Sequence, residues 1–150
     1  MKSIRIHIII FASLLIISGV TAFPLRDEIR FLYLNTGLFP DFTQTWISRV
    51  YTDLNSTPKI MFYGTDWLAF AHIVIALFFV PVFLLPAQHI MNVQIAMVAC
   101  ILILPLAFVC GTVREIPFFH QLTDCMFGVL GFLYLAFIHK KIKQLKIISQ

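Results

Sequence analysis

Arg114-Glu115-Ile116-Pro117-Phe118-Phe119-His120-Gln121-Leu122-Thr123-Asp124-Cys125, then an apolar run to Ile138 and the lysines 140, 141, 143 and 146, is the stretch that decides how this chain folds. Proline suits a first helical position, where its fixed φ is already helical and its missing N–H is not needed, so the stretch predicts a long helix from Pro117. On that helix His120 and Asp124 stand one turn apart. Asp124, Gly128, Gly131 and Leu135 then share one face, which places a carboxylate above two glycines that let a neighbouring helix come close.

Composition fixes the solvent. With 60% hydrophobic and only 12% charged residues, and a mean hydropathy of +0.93, 150 residues carry more apolar surface than one water-soluble core hides. The expected fold is therefore all-α: an integral membrane four-helix bundle in which lipid covers what the core cannot. The formal net charge of +4 comes from basic residues at the two termini. It gives no case for nucleic acid, which would want a basic polar face with interleaved aromatics.

Working outward to the N-terminus, Lys2 and Arg5 precede an apolar segment that ends near Phe23. Its length approaches the ~20 residues of a spanning helix. We read it as a retained signal anchor; the alternative is a secretory signal peptide cleaved after Ala22, since Val20-Thr21-Ala22 has the small residues such a site needs. The spans expected from hydropathy are about 5–23, 66–86, 92–111 and 117–139, in a single membrane domain covering residues 1–150.

Residues 24–65 form the extracytoplasmic loop, with two short amphipathic helices. Leu25, Ile29 and Leu32 mark one; Asp41 as N-cap, with Phe42, Trp46, Val50 and Leu54 on one face, marks the other, in which Arg49 and Asp53 can pair. Trp46, Tyr51, Tyr63 and Trp67 suit the headgroup level. Asn55-Ser56-Thr57 matches a glycosylation sequon, a pattern too short to weigh much. Asp66 is expected to open the second spanning helix, where negative charge is favourable. Ala69, His72 and Ala76 fall on one face of it, and Pro81 bends its inner half. In the third span Ala96, Cys100, Ala107 and Gly111 make a narrow strip suited to close packing.

Orientation follows from the cations. Both termini are expected in the cytoplasm, with the basic tail 140–150, because Lys and Arg near span ends stay inside. All seven acids then fall on the outer side. The expected location is the bacterial inner membrane.

The candidate site is a polar cluster near the outer face, made of Asp66, His72, Arg114, His120 and Asp124. An ionisable group at depth costs ~2.5–3.5 kcal/mol on insertion scales unless it meets a partner or water. His72 and Asp124, each about 10 Å along its helix at ~1.5 Å per residue, would be at similar depth. Each member also has a plainer reading: His72 as an interhelical hydrogen bond, Asp124 as a register-fixing ion pair, Arg114 and Glu115 as headgroup markers, His120 as an interfacial side chain.

The chemistry expected of the cluster is binding of a lipid or other apolar ligand, with Arg114 reading an anionic head group and the His–Asp pair moving protons. A role as subunit of a membrane complex or as a homo-oligomer uses the same faces. The alternative is a metal site of His72, His120 and Asp124, or a two-haem electron carrier in which His72 pairs with His120 and His89 with His139. No HExxH-type motif supports the metal. Cys100, Cys110 and Cys125 contain no C-x-x-C, which excludes a thiol oxidoreductase of that type. The three are read as buried free thiols; the alternative is a bridge between Cys110 and Cys125. No motif names a family, a cofactor or a reaction.

Overall fold

The computed structural model describes residues 2–148, and its elements are all helical. They are α1 (Lys2–Ala22), α2 (Leu25–Leu34), a 3-10 turn (Thr36–Leu38), α3 (Asp41–Ser56), α4 (Lys59–Leu77), the short α5 (Val80–Leu84), α6 (Ile90–Val113) and α7 (Phe118–Ile148). Four stretches, Lys2–Ala22, Lys59–Leu84, Ile90–Val113 and Phe118–Leu145, are long and apolar enough to cross a membrane. Their outward side chains are apolar too: Ile17, Leu68, Ile95, Leu102, Leu106 and Phe127 are all more than half exposed.

Three local expectations change. Asp66 does not open a helix, because α4 begins at Lys59. Pro58 supplies the start, with the N–H of Met61 reaching its carbonyl at 3.0 Å, and the apolar residues from Ile60 to Tyr63 extend the helix N-terminally past the charge; Asp66 sits in the third turn. Asp41 is likewise not the N-cap of α3. Pro40 holds that position, and Asp41 falls in the first turn, where its charge still complements the helix dipole. At Pro81 the bend becomes a break, with a turn at Phe78 and Phe79 between α4 and α5. Asn92 donates to the Phe78 carbonyl at 2.8 Å, so a side chain takes up a carbonyl that the interrupted helix leaves open.

The chain separates into two compact units. One holds Leu14–Ala76. There the second half of α1 lies against α4 so closely that a Cβ on Gly19 would stand 2.5 Å from the Ala69 carbonyl and 3.1 Å from the His72 Cβ. Helices α2 and α3 form a hairpin, with Tyr33 and Tyr51 stacked at 4.2 Å and 5° and Ile47 buried. Arg26 donates to the Leu54 and Thr57 carbonyls at 3.1 and 3.4 Å and lies 4.2 Å from the Phe62 ring centre. It thereby closes the C-terminal end of α3, where carbonyls lack helical partners. Arg49 and Asp53 approach to 3.9 Å as their spacing implied.

The other unit holds the chain up to Ser13 and from Leu77 onward. Helices α6 and α7 run antiparallel along the two small-residue strips. A Cβ on Gly128 would stand 2.7 Å from the Cys100 carbonyl, and one on Gly131 would stand 3.1 Å from the Cys100 Sγ. The start of α1 packs antiparallel on the end of α7, where Ile4, Ile8, Leu135, Ile138 and Ile142 are buried.

Candidate functional site

The turn between α6 and α7 places the site. The N–H of Ile116 bonds to the Gly111 carbonyl at 2.9 Å and that of Glu115 to the Thr112 carbonyl at 3.1 Å, the paired bonds of a Schellman ending. Glu115 takes the left-handed position with φ 55°. Two residues later comes Pro117, which stands just before α7 rather than at its first helical position, and whose carbonyl accepts from the N–H of His120 at 2.9 Å. Gln121, buried, donates to the Ile116 carbonyl at 2.7 Å and rests on Gly111, where a Cβ would meet its side chain at 2.6 Å. A side chain at position 111 would displace the Gln121 side chain from this place.

That geometry leaves a cleft of ≈ 380 Å³ between the C-terminal end of α6 and the start of α7. Ile103, Leu106, Ala107 and Ile116 give it apolar walls, while Arg114, His120 and Asp124 bring polar groups to it. The Nε2 of His120 and the Oδ2 of Asp124 stand 4.0 Å apart, each side chain about half exposed. That is ion-pair range and longer than a hydrogen bond. The Arg114 N–H donates to the Cys110 carbonyl at 2.9 Å, while its guanidinium makes no hydrogen bond or ion pair among the described residues.

The structure thus brings Arg114, His120 and Asp124 to one cleft. Asp66 and His72 lie on α4 in the other unit. His72 donates its Nδ1 hydrogen to the Leu68 carbonyl at 2.9 Å, one turn back on its own helix, and backs onto Gly19. Its small-residue face meets a helix, as the pattern with Ala69 and Ala76 implied. Among the described residues no three His, Cys, Asp or Glu side chains gather as metal ligands. His139 stands 3.4 Å from the Gln94 amide. The three thiols are free: Cys100 and Cys125 are buried, whereas Cys110 is exposed and borders the cleft.

Comparison with protein-family models, curated proteins and solved structures finds no match to this chain. The functional reading therefore rests on the cleft itself.

One polar arrangement escaped the sequence. His7 on α1 stands 3.0 Å from the Tyr134 hydroxyl and 3.3 Å from the Lys141 Nζ, which also donates to Ser3 Oγ at 3.0 Å. An ammonium only donates, so His7 Nε2 accepts and the ring hydrogen on Nδ1 goes to Tyr134. His7 also meets the Phe137 ring edge-on at 5.1 Å. The only available signal was that His7 and Tyr134 interrupt apolar runs at opposite ends of the chain, and helical spacing does not connect positions so far apart.

Proposed function

We propose that this chain is a four-span integral protein of a bacterial inner membrane, with both termini in the cytoplasm, and that the α6–α7 cleft binds an amphiphile with an anionic head group. Support for the topology comes from the antiparallel meeting of α1 and α7, with Ser3 beside Lys141 and His7 beside Tyr134. Both chain ends then share one side of the bilayer, and their cations favour the inner side. The cleft opens at the other end of α6 and α7.

The observation that carries the ligand class is Arg114: a guanidinium with no partner among the described residues, at the rim of an apolar cleft. A carboxylate or phosphate at that rim gains charge-assisted hydrogen bonds, while the walls of Ile103, Leu106 and Ala107 take the first part of an alkyl chain. The rest of the chain lies along the exposed apolar flanks of the two helices. His120 and Asp124, beside the same head group, are placed to exchange protons with it through water. His72 serves helix packing in this reading.

Nitroxide-labelled stearate and its methyl ester, which share an alkyl chain and differ in charge, test the proposal on protein reconstituted in phosphatidylcholine. The spectrum of stearate should show a protein-bound component that the ester lacks, and Arg114→Gln should reduce it about tenfold, the low end of a charged hydrogen bond's worth. Equal immobilisation of acid and ester would overturn the assignment.

A further inference from the structure

We propose that the pocket between α2 and α3 binds the zwitterionic head group of an ethanolamine phospholipid, with its phosphate on Arg30 and its ammonium on Asp27. The inference rests on membrane insertion as read above, but not on the α6–α7 cleft, which belongs to the other unit. Arg26, Asp27 and Arg30 from α2 and Leu54 and Asn55 from α3 line this one pocket of ≈ 200 Å³. Its size is below the ~300–1,000 Å³ typical of sites for drug-sized ligands, and it suits a head group whose chains lie outside.

How these groups are satisfied points to the ligand. Asp27 and Arg30 are i, i+3 neighbours, ~5–6 Å apart at Cβ on one helix face, a spacing at which opposite charges pair readily. They do not pair here: neither side chain makes a hydrogen bond or ion pair among the described residues. Both border the pocket, so a carboxylate and a guanidinium are open to one occupant. Arg26 adds a second positive charge that is already fixed, by the Leu54 and Thr57 carbonyls at 3.1 and 3.4 Å and by the Phe62 ring at 4.2 Å. Asn55 donates its amide to the Tyr51 carbonyl at 2.9 Å, which leaves the side-chain oxygen as an acceptor. Two guanidinium groups suit a phosphate, while a carboxylate and an amide oxygen suit an ammonium, which only donates. A purely anionic ligand would meet the Asp27 charge unopposed, and a purely cationic one would meet two arginines.

The place of the pocket makes the zwitterion a lipid's. Helix α1 ends at Ala22 and α4 begins at Lys59, and both belong to stretches long and apolar enough to cross a membrane. Arg26 lies four residues after the first of these boundaries and Asn55 four before the second, and Arg26 touches Phe62 in the first turn of α4. In the membrane reading the pocket is therefore built where the chain leaves and re-enters the bilayer. Exposed Tyr63 and Trp67 follow on α4, the aromatic types that gather at the headgroup level.

The test uses the full-length protein in nanodiscs of phosphatidylcholine and phosphatidylethanolamine in equal amounts. The two lipids carry the same charge, and only the primary ammonium donates hydrogen bonds, so a cleft that reads an anionic head group does not separate them. Failure to enter the discs as a folded, helical protein would count against the membrane reading, separately from the site. Native mass spectrometry of protein released from the discs should show phosphatidylethanolamine retained about tenfold over phosphatidylcholine, the low end of a charged hydrogen bond's worth. Asp27→Asn should bring that ratio close to one, and Arg30→Gln should lower the retention of phosphatidylethanolamine. Glu28→Gln, on the same helix but not bordering the pocket, should change neither. Because the Asp27 and Arg30 side chains make no bond within the hairpin, these variants should keep the wild-type helix content; should either fail to fold, the wild-type ratio and competition by free phosphoethanolamine carry the test. Phosphoethanolamine also separates the sources, since loss of the retained lipid at equimolar phosphoethanolamine would mark a site for a soluble zwitterion and overturn the lipid assignment. A wild-type ratio near one, or equal effects of Asp27→Asn and Glu28→Gln, would overturn it as well.

Discussion

The Cβ that Gly128 lacks would stand 2.7 Å from the carbonyl oxygen of Cys100. Real side chains do not approach a backbone oxygen that closely, so Gly128→Ala must push α6 and α7 apart. The expected loss is about 1–3 kcal/mol, the usual cost of overpacking, read as a lower thermal midpoint in detergent. Gly131 faces the Cys100 Sγ at 3.1 Å, and a side chain yields more readily than backbone, so Gly131→Ala should cost less. Gly64, inside α4 with open space around it, provides the opposite sign: Gly64→Ala should stabilise by about 0.5–1 kcal/mol.

Glu115 occupies a backbone conformation that L residues enter at a cost of about 1–2 kcal/mol. Its φ of 55° is what lets α6 end and α7 begin within four residues, and thereby brings Arg114 to the same cleft as His120 and Asp124. Glu115→Gly should raise the midpoint and leave stearate binding intact. Glu115→Val, whose branched Cβ suits this region least, should lower both. A Val variant as stable as the Gly variant would show that the turn does not constrain the cleft.

How much of this was legible follows from what helical periodicity carries. The seam of Gly128, Gly131 and Leu135 could be read because their spacing repeats along one helix, and Cys100 and Gly111 repeat likewise on the helix that meets them. Arg114, His120 and Asp124 lie within eleven residues, so one turn and one helix sufficed to group them. The charge of Asp66 reads as a boundary in the sequence, whereas Pro58 and the apolar residues after Lys59 set the start of α4. The His7–Tyr134–Lys141 chain and the Arg26 cap join residues distant in sequence, and single helix faces hold no record of such pairs.

Arg26 makes its own prediction. Its guanidinium holds the Leu54 and Thr57 carbonyls and lies against the Phe62 ring, so one side chain ties α2 to the end of α3 and the start of α4. Arg26→Ala should destabilise this hairpin by about 1–2 kcal/mol, since it removes hydrogen bonds from a charged group together with an exposed cation–π contact. The loss should be local. Amide hydrogen exchange should accelerate in residues 50–57 and leave α6 and α7 unchanged. Arg30→Ala, on the same helix but with no side-chain hydrogen bond or ion pair among the described residues, should alter exchange in neither.

The sign of the charge at the cleft can be tested from Asp124. Its carboxylate borders the same cavity as Arg114 and stands 4.0 Å from His120, so an anionic head group seated on Arg114 has a like charge nearby. Half-exposed like charges repel weakly, by about 0.2–1 kcal/mol by analogy with exposed pairs of opposite sign. Asp124→Asn should therefore tighten labelled-stearate binding by a few-fold, while Arg114→Gln weakens it. The double variant should resemble Arg114→Gln, because without the guanidinium little anion remains for Asp124 to repel. If Asp124→Asn weakened binding as much as Arg114→Gln did, the carboxylate would be touching the ligand as an acceptor. The head group would then carry hydrogen-bond donors or positive charge, and the anionic class would be wrong.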